Sequence, residues 1–199
     1  MLKRNRELWY ALIGVAVVSA VYAVAYWQAG TFPRASGLVG HGIGVIGFVL
    51  MLMTETLYSI RKRMTDARWG SMASWLSFHV ITGLVGPYMV LLHTAVRFRG
   101  LAGAAMLLTV VVVASGVVGR YLYTAVARII DAEEPAATAA APSAADVSAA
   151  TAAASAEKLA ARRRALASWY AVHMPLTWVL FAMAFMHAVA ALYYATLQR

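Results

Sequence analysis

The chain has 199 residues, 62% of them hydrophobic, with a mean hydropathy of +0.70, well above that of an ordinary soluble domain. It contains no cysteine, which excludes disulfides, thiolate-held iron–sulfur clusters and any cofactor attached through thioethers. The net charge of +9 does not make a nucleic-acid face, because the basic residues gather at the ends of apolar runs, where membrane topology needs them.

Five apolar runs reach the roughly 20 residues that cross a bilayer, and they predict helices over 8–28, 38–60, 72–96, 101–125 and 166–196. The expected fold class is therefore an all-α integral membrane protein with five transmembrane helices. The first run follows Lys3, Arg4 and Arg6. It is longer than a signal-peptide core and reads as a retained span within segment 1–34. Helices two to four fill 35–130. Segment 131–160 is Ala-rich, carries Pro135 and Pro142, and reads as a low-complexity cytoplasmic loop whose second half can extend the last helix backwards. The fifth helix occupies 161–199.

Charge sets the expected orientation. With a cytoplasmic N-terminus, thirteen of the seventeen Lys and Arg fall on that side: Lys3, Arg4, Arg6, Arg61, Lys62, Arg63, Arg68, Arg120, Arg128, Lys158 and Arg162 to Arg164. Only Arg34, Arg97, Arg99 and Arg199 lie at the other face. This bias predicts N-in, C-out, consistent with the inner membrane of a bacterium. Trp9, Trp27, Tyr58, Trp69, Trp75, Tyr121, Tyr123, Trp169, Tyr193 and Tyr194 sit towards helix ends, as an interfacial aromatic belt does. No nucleotide-binding glycine loop, Ser/His/Asp order or carboxylate pair is present. Any substrate-oxidising centre therefore belongs on another subunit.

Four histidines form two pairs of equal spacing, His79 with His93 and His173 with His187, each fourteen residues apart inside an apolar segment. Fourteen residues of α-helix advance about 21 Å in just under four turns, so both members face one way near opposite sides of a bilayer. In the N-in topology the third and fifth helices run parallel. His79 then matches His173 in depth, and His93 matches His187. Two neutral imidazoles clamp a haem iron from both faces and leave no open position for substrate, which suits electron transfer. A single intramembrane histidine is more often a hydrogen-bonding residue. Four costly ionisable groups in two equal spacings favour ligation. Without cysteine such a haem is b-type. Gly86, midway between His79 and His93, and Gly116 on the fourth helix give room for a flat macrocycle, alongside Gly83, Gly103 and Gly119, although small-residue packing uses the same residues. Arg97, Arg99 and Arg120 are candidates to pair with haem propionates, against the simpler roles of flanking a span or snorkelling. His41 and Glu55, also fourteen apart, are candidates for quinone or proton handling. His41 is otherwise a third-haem ligand or a plain hydrogen-bonding residue, and Glu55 an ion-pair partner of Arg120 or Arg61.

The His-x13-His pattern on two parallel helices, separated by one helix and flanked by glycine-bearing helices, resembles the di-haem core of membrane cytochromes b over 37–197. The resemblance rests on His spacing and glycines. It implies an up-down four-helix haem bundle of helices two to five, with His79, His93, His173 and His187 as axial ligands of two haems b. The extra first helix, and the lack of further helices and a quinol-oxidation motif, make the chain look more like a small respiratory membrane-anchor cytochrome. Its expected function is single-electron transfer between a quinone pool and a partner subunit carrying flavin, iron–sulfur or c-type haem, with no nucleic acid involved. The competing reading is a polytopic metal-ion or proton transporter with a histidine relay. It expects acidic partners, of which the chain offers little beyond Glu55.

Overall fold

The computed structural model describes residues 5–31, 33–35, 37–64, 70–139 and 145–197. It contains α1 (Arg6–Ala29), α2 (Leu38–Arg63), α3 (Met72–His93), α4 (Gly100–Ala139) and α5 (Ala145–Leu197), with no strand among the described residues. Each helix holds a stretch long and apolar enough to cross a membrane. The exposed side chains on these stretches are aliphatic and aromatic: Ile13, Val17 and Val21 on α1, Val45 and Ile46 on α2, Leu107 and Val110 on α4, Phe185 and Leu192 on α5. Water would penalise such a surface and acyl chains do not. The chain is a multi-pass helical membrane protein in contact with lipid.

The helix ends differ from the sequence expectation for local reasons. α1 closes on Gly30, whose φ of 65° lets its N–H reach the Tyr26 carbonyl at 2.9 Å. α2 runs on through Arg61, Lys62 and Arg63, cations that suit the negative end of a helix. Ser71 caps α3 by accepting the Ser74 N–H at 3.2 Å. α3 stops at His93 rather than at residue 96, because Ala95 and Val96 turn left-handed at φ 46° and 59°. The Ala-rich segment is helical over 131–139, in place of the expected loop, and again from Ala145, where the last helix reaches backwards as its alanines suggest. Alanine has the highest helix propensity and nothing in its side chain competes with the backbone. α4, with 40 residues, and α5, with 53, are therefore about 60 and 80 Å long, well beyond the roughly 30 Å of a hydrocarbon core.

The chain divides into two compact units, one of residues 1–113 with 180–199 and one of residues 114–179. In the first unit α3 is the element on which both α1 and α2 pack. α1 lies parallel to α3: Gly14 faces Val85, and one turn further Ser19 meets Tyr88 across a 2.6 Å hydrogen bond. α2 lies antiparallel to α3, with Gly47 and Gly86 in contact at the middle of the pair. A Cβ on Gly47 would stand 2.8 Å from the Gly86 carbonyl oxygen, and one on Gly86 3.0 Å from that of Gly47. Only glycine at both positions lets the backbones approach this closely. The alternation of α1, α2 and α3 is what three successive membrane crossings require.

Candidate functional site

The two histidines of α3 each hand a ring nitrogen to the backbone of α2. His79 Nδ1 lies 3.2 Å from the Thr54 carbonyl and His93 Nδ1 lies 2.8 Å from the Gly40 carbonyl. A carbonyl oxygen only accepts, so Nδ1 carries the proton and, in the neutral ring, the Nε2 lone pair is left for another partner. Metal-ligating histidines are held in this way, with the second nitrogen donating to a fixed acceptor. The two acceptors are themselves fourteen residues apart, matching the histidines, with the Gly47–Gly86 contact halfway between them. Helix pairing thus turns one sequence interval into two equivalent sites about 21 Å apart.

Local sequence explains how a carbonyl already used within α2 can accept again. In an α-helix each Cβ leans towards the N-terminus and covers the carbonyl four residues earlier. Gly44 follows Gly40 by four and has no Cβ, which uncovers the Gly40 carbonyl. The His93 ring fills the gap, so close that a Cβ on Gly44 would stand 2.7 Å from its Cγ and Nδ1. At the other end the residue four after Thr54 is Tyr58. Its ring lies tilted against the His79 imidazole, with centroids 4.8 Å apart. Thr54 itself is tied down: its one hydroxyl proton is shared between the Leu50 carbonyl and Thr82 Oγ1, and the Thr82 hydroxyl donates to the Phe78 carbonyl.

His41 and His187 both come near His93. The His41 and His93 rings meet edge to face at 6.0 Å, with His41 on the exposed side of α2. His187, on α5 in the same unit, lies within electrostatic reach of His93. Phe48 of α2 and Phe181 of α5 pack at 6.4 Å in the same unit. Glu55 is buried, at 8% exposure, and its carboxylate accepts a 3.2 Å hydrogen bond from Ser59. Arg61 is also buried, but it donates to the carbonyls of Met64 and Gly70 rather than to Glu55. Of the two ion pairs expected for Glu55, the one with Arg61 is therefore replaced by a guanidinium closing the α2–α3 connection.

Comparison with known proteins found no match to the chain among family models, curated proteins or solved structures.

In the second unit His173 is buried in a polar cluster built by α4 and α5. Its Nδ1 lies 3.1 Å from Ser115 Oγ, and its ring stacks on Trp169, one turn earlier, at 4.7 Å and 23°. The Trp169 indole N–H donates to the Ser115 carbonyl at 2.7 Å and contacts Ser115 Oγ at 3.1 Å. A glycine again uncovers the carbonyl. Gly119 follows Ser115 by four, and the Trp169 ring occupies the place of its absent Cβ. Gly116, singled out by sequence, borders the His173 ring: a Cβ there would lie 3.8 Å from Cε1. Gly86 is instead filled by Gly47 and Met51, so its smallness serves the α2–α3 contact.

Arg97 and Arg99 lie exposed in the turn after α3, with the Arg97 N–H on the Thr94 carbonyl, and Arg120 is half-buried on α4. Lys3, Arg4, Arg68 and Arg199, used in reading orientation, lie outside the described residues, as does the side chain of Arg128. Sequence reasoning missed Gly40, Gly44, Thr54, Tyr58, Ser115 and Trp169 as the supports of the imidazoles. The readable signal was a glycine, at 44 and again at 119, four residues after a carbonyl that a neighbouring helix needs.

Proposed function

We propose that the chain is a di-haem b-type membrane cytochrome that passes single electrons between a quinone pool and a partner redox subunit. The carrying observation is that His79 and His93 both donate Nδ1–H to α2 carbonyls set at the same fourteen-residue interval. This leaves both Nε2 atoms as electron-pair donors at two levels of one helix. The donor set suits haem iron, which takes neutral imidazole on each face. His93 and His187, close in the first unit, would hold one haem. His79 and His173, assigned by spacing, would hold the other. A bis-imidazole haem supplies one-electron redox chemistry without an open coordination position.

The chain's own residues contribute ligands, orientation and exclusion of water. Thr54 and Gly40 fix the tautomer and plane of the two α3 imidazoles, and the Thr54–Thr82 hydroxyl chain keeps the first of these acceptors in place. Arg97, Arg99 and Arg120 are assigned to haem propionates, and His41 and Glu55 to quinone or proton exchange. His41 stands beside His93 and Glu55 follows Thr54 directly, so each lies near one level of the proposed ligands. Orientation follows the charge bias, with the N-terminus cytoplasmic and the C-terminus on the periplasmic side. The partner would carry flavin, iron–sulfur or c-type haem.

The test is haem content and type of the detergent-purified chain, read by reduced-minus-oxidised spectra and pyridine haemochrome. Two low-spin b-type haems per chain are expected. No haem in protein made with ample haem supply would overturn the reading and favour metal-ion or proton transport through His41, His93 and His187.

A further inference from the structure

Three of the four candidate ligands have a hydrogen-bond partner at Nδ1, and the partners are of two kinds. His79 and His93 meet carbonyls, which fix one tautomer. His173 meets the Ser115 hydroxyl, a rotor that can either donate or accept. The carbonyl of Ser115 is already taken by Trp169, whose ring also stacks on His173. The indole N–H reaches Ser115 Oγ as well, so that oxygen is shared between Trp169 and His173.

We propose that Ser115, held by Trp169, is the positioning residue of His173, and that it tunes this one ligand separately from those held by carbonyls. The proposal rests on the di-haem reading for its consequence at iron, though not for the hydrogen bond itself. When Nε2 is committed to a metal, Nδ1 must carry the proton and Ser115 Oγ must accept it. An acceptor at Nδ1 pushes electron density onto the ring and strengthens it as a donor to iron, favouring the oxidised state. A neutral hydroxyl that already accepts from Trp169 is a weaker acceptor than a free one. The Ser115–Trp169 pair therefore sets the potential of the His173 centre from outside the coordination shell.

Three variants of the full-length, haem-loaded chain test this. Ser115→Ala removes the acceptor, so the midpoint potential of one haem should rise while the other stays in place, with both haems retained. Ser115→Thr keeps the hydroxyl and should restore the wild-type value. Trp169→Phe keeps the stacked ring but removes the competing donor, so the same potential should fall. Unchanged potentials in Ser115→Ala, equal shifts of both haems, or a shift of the same sign in Trp169→Phe would overturn the proposal. A second readout separates it from the haem assignment. In the reduced, ¹⁵N-histidine-labelled chain, Ser115→Ala should move the ring-nitrogen signals of His173 and leave those of His79 and His93. If His173 does not respond, the positioning role fails even in a protein carrying two haems. If His173 responds in a chain that binds none, the positioning role holds and the haem assignment fails.

Discussion

Gly44→Ala isolates the proposed ligand geometry in a single methyl group. A Cβ at position 44 would lie 2.7 Å from Cγ and Nδ1 of His93, whereas ordinary van der Waals contact begins near 3.4 Å. The ring must therefore retreat by about 0.7 Å. Moving away from α2, it stretches the 2.8 Å bond to the Gly40 carbonyl to about 3.5 Å, beyond useful hydrogen-bond range. Losing that bond costs about 0.5–1.5 kcal/mol, and the added methyl costs a further ~1–3 kcal/mol of overpacking. Gly42 is a built-in control, since a Cβ there meets nothing within 4 Å. Haem per chain by pyridine haemochrome should fall from two towards one in Gly44→Ala and stay at two in Gly42→Ala. Thermal denaturation in detergent should show a loss only for the first. Full occupancy by both haems, with unaltered spectra and melting in Gly44→Ala, would refute the claim that the His93 ring lies on the bare surface of α2.

The remaining predictions concern the same unit. His93→Ala and His187→Ala, made separately, should each remove the same haem, as resolved by potentiometric titration; loss of different haems would break the pairing suggested by their proximity. Ser19 Oγ donates to the Val15 carbonyl, so Tyr88 must be the donor in the 2.6 Å bond between α1 and α3. Tyr88→Phe should then cost about 0.6 kcal/mol and at most ~1.7 kcal/mol, the range for such bonds in membranes, measured by unfolding in mixed micelles. Arg61→Ala should destabilise by about 1.5–3 kcal/mol through loss of its charged hydrogen bonds to the Met64 and Gly70 carbonyls and speed proteolysis of the α2–α3 connection. Arg61→Lys should recover only part of this, because an ammonium lacks the planar fork that spans Met64 and Gly70. Equal stability of the Lys variant would count against that geometry.

The five helices were legible because a bilayer demands long uninterrupted apolar runs, and the histidine interval because helical period converts spacing into facing. What stayed hidden is relational. The glycines of α2 and α4 read as room for a macrocycle or as small-residue packing, whereas Gly44 and Gly119 expose a carbonyl that only a neighbouring helix can use. Gly86 is the reverse case: its position between the histidines pointed to cofactor space, and the structure fills that space with Gly47. Glu55 reads from charge alone as an ion-pair partner of Arg120 or of the Arg61 guanidinium. The turn after α2 offers carbonyls that hold the guanidinium instead. The length of α4 escaped a hydropathy reading because alanine prolongs a helix without needing a membrane or a core, the same property that let α5 be read backwards into the Ala-rich segment.

The α2–α3 contact also bears on the order of events during synthesis. Both α3 imidazoles are oriented by groups encoded between Gly40 and His93, so this hairpin has its donors in place as soon as it enters the membrane. Eighty residues separate His93 from His173. At translation rates of about 5–20 residues per second, that interval lasts roughly 4–16 s. During that time a nascent chain presents two oriented donors with no partner histidine yet made. If the chain takes haem as proposed, capture would begin on the ribosome, and the last helix would complete sites already half assembled rather than create them.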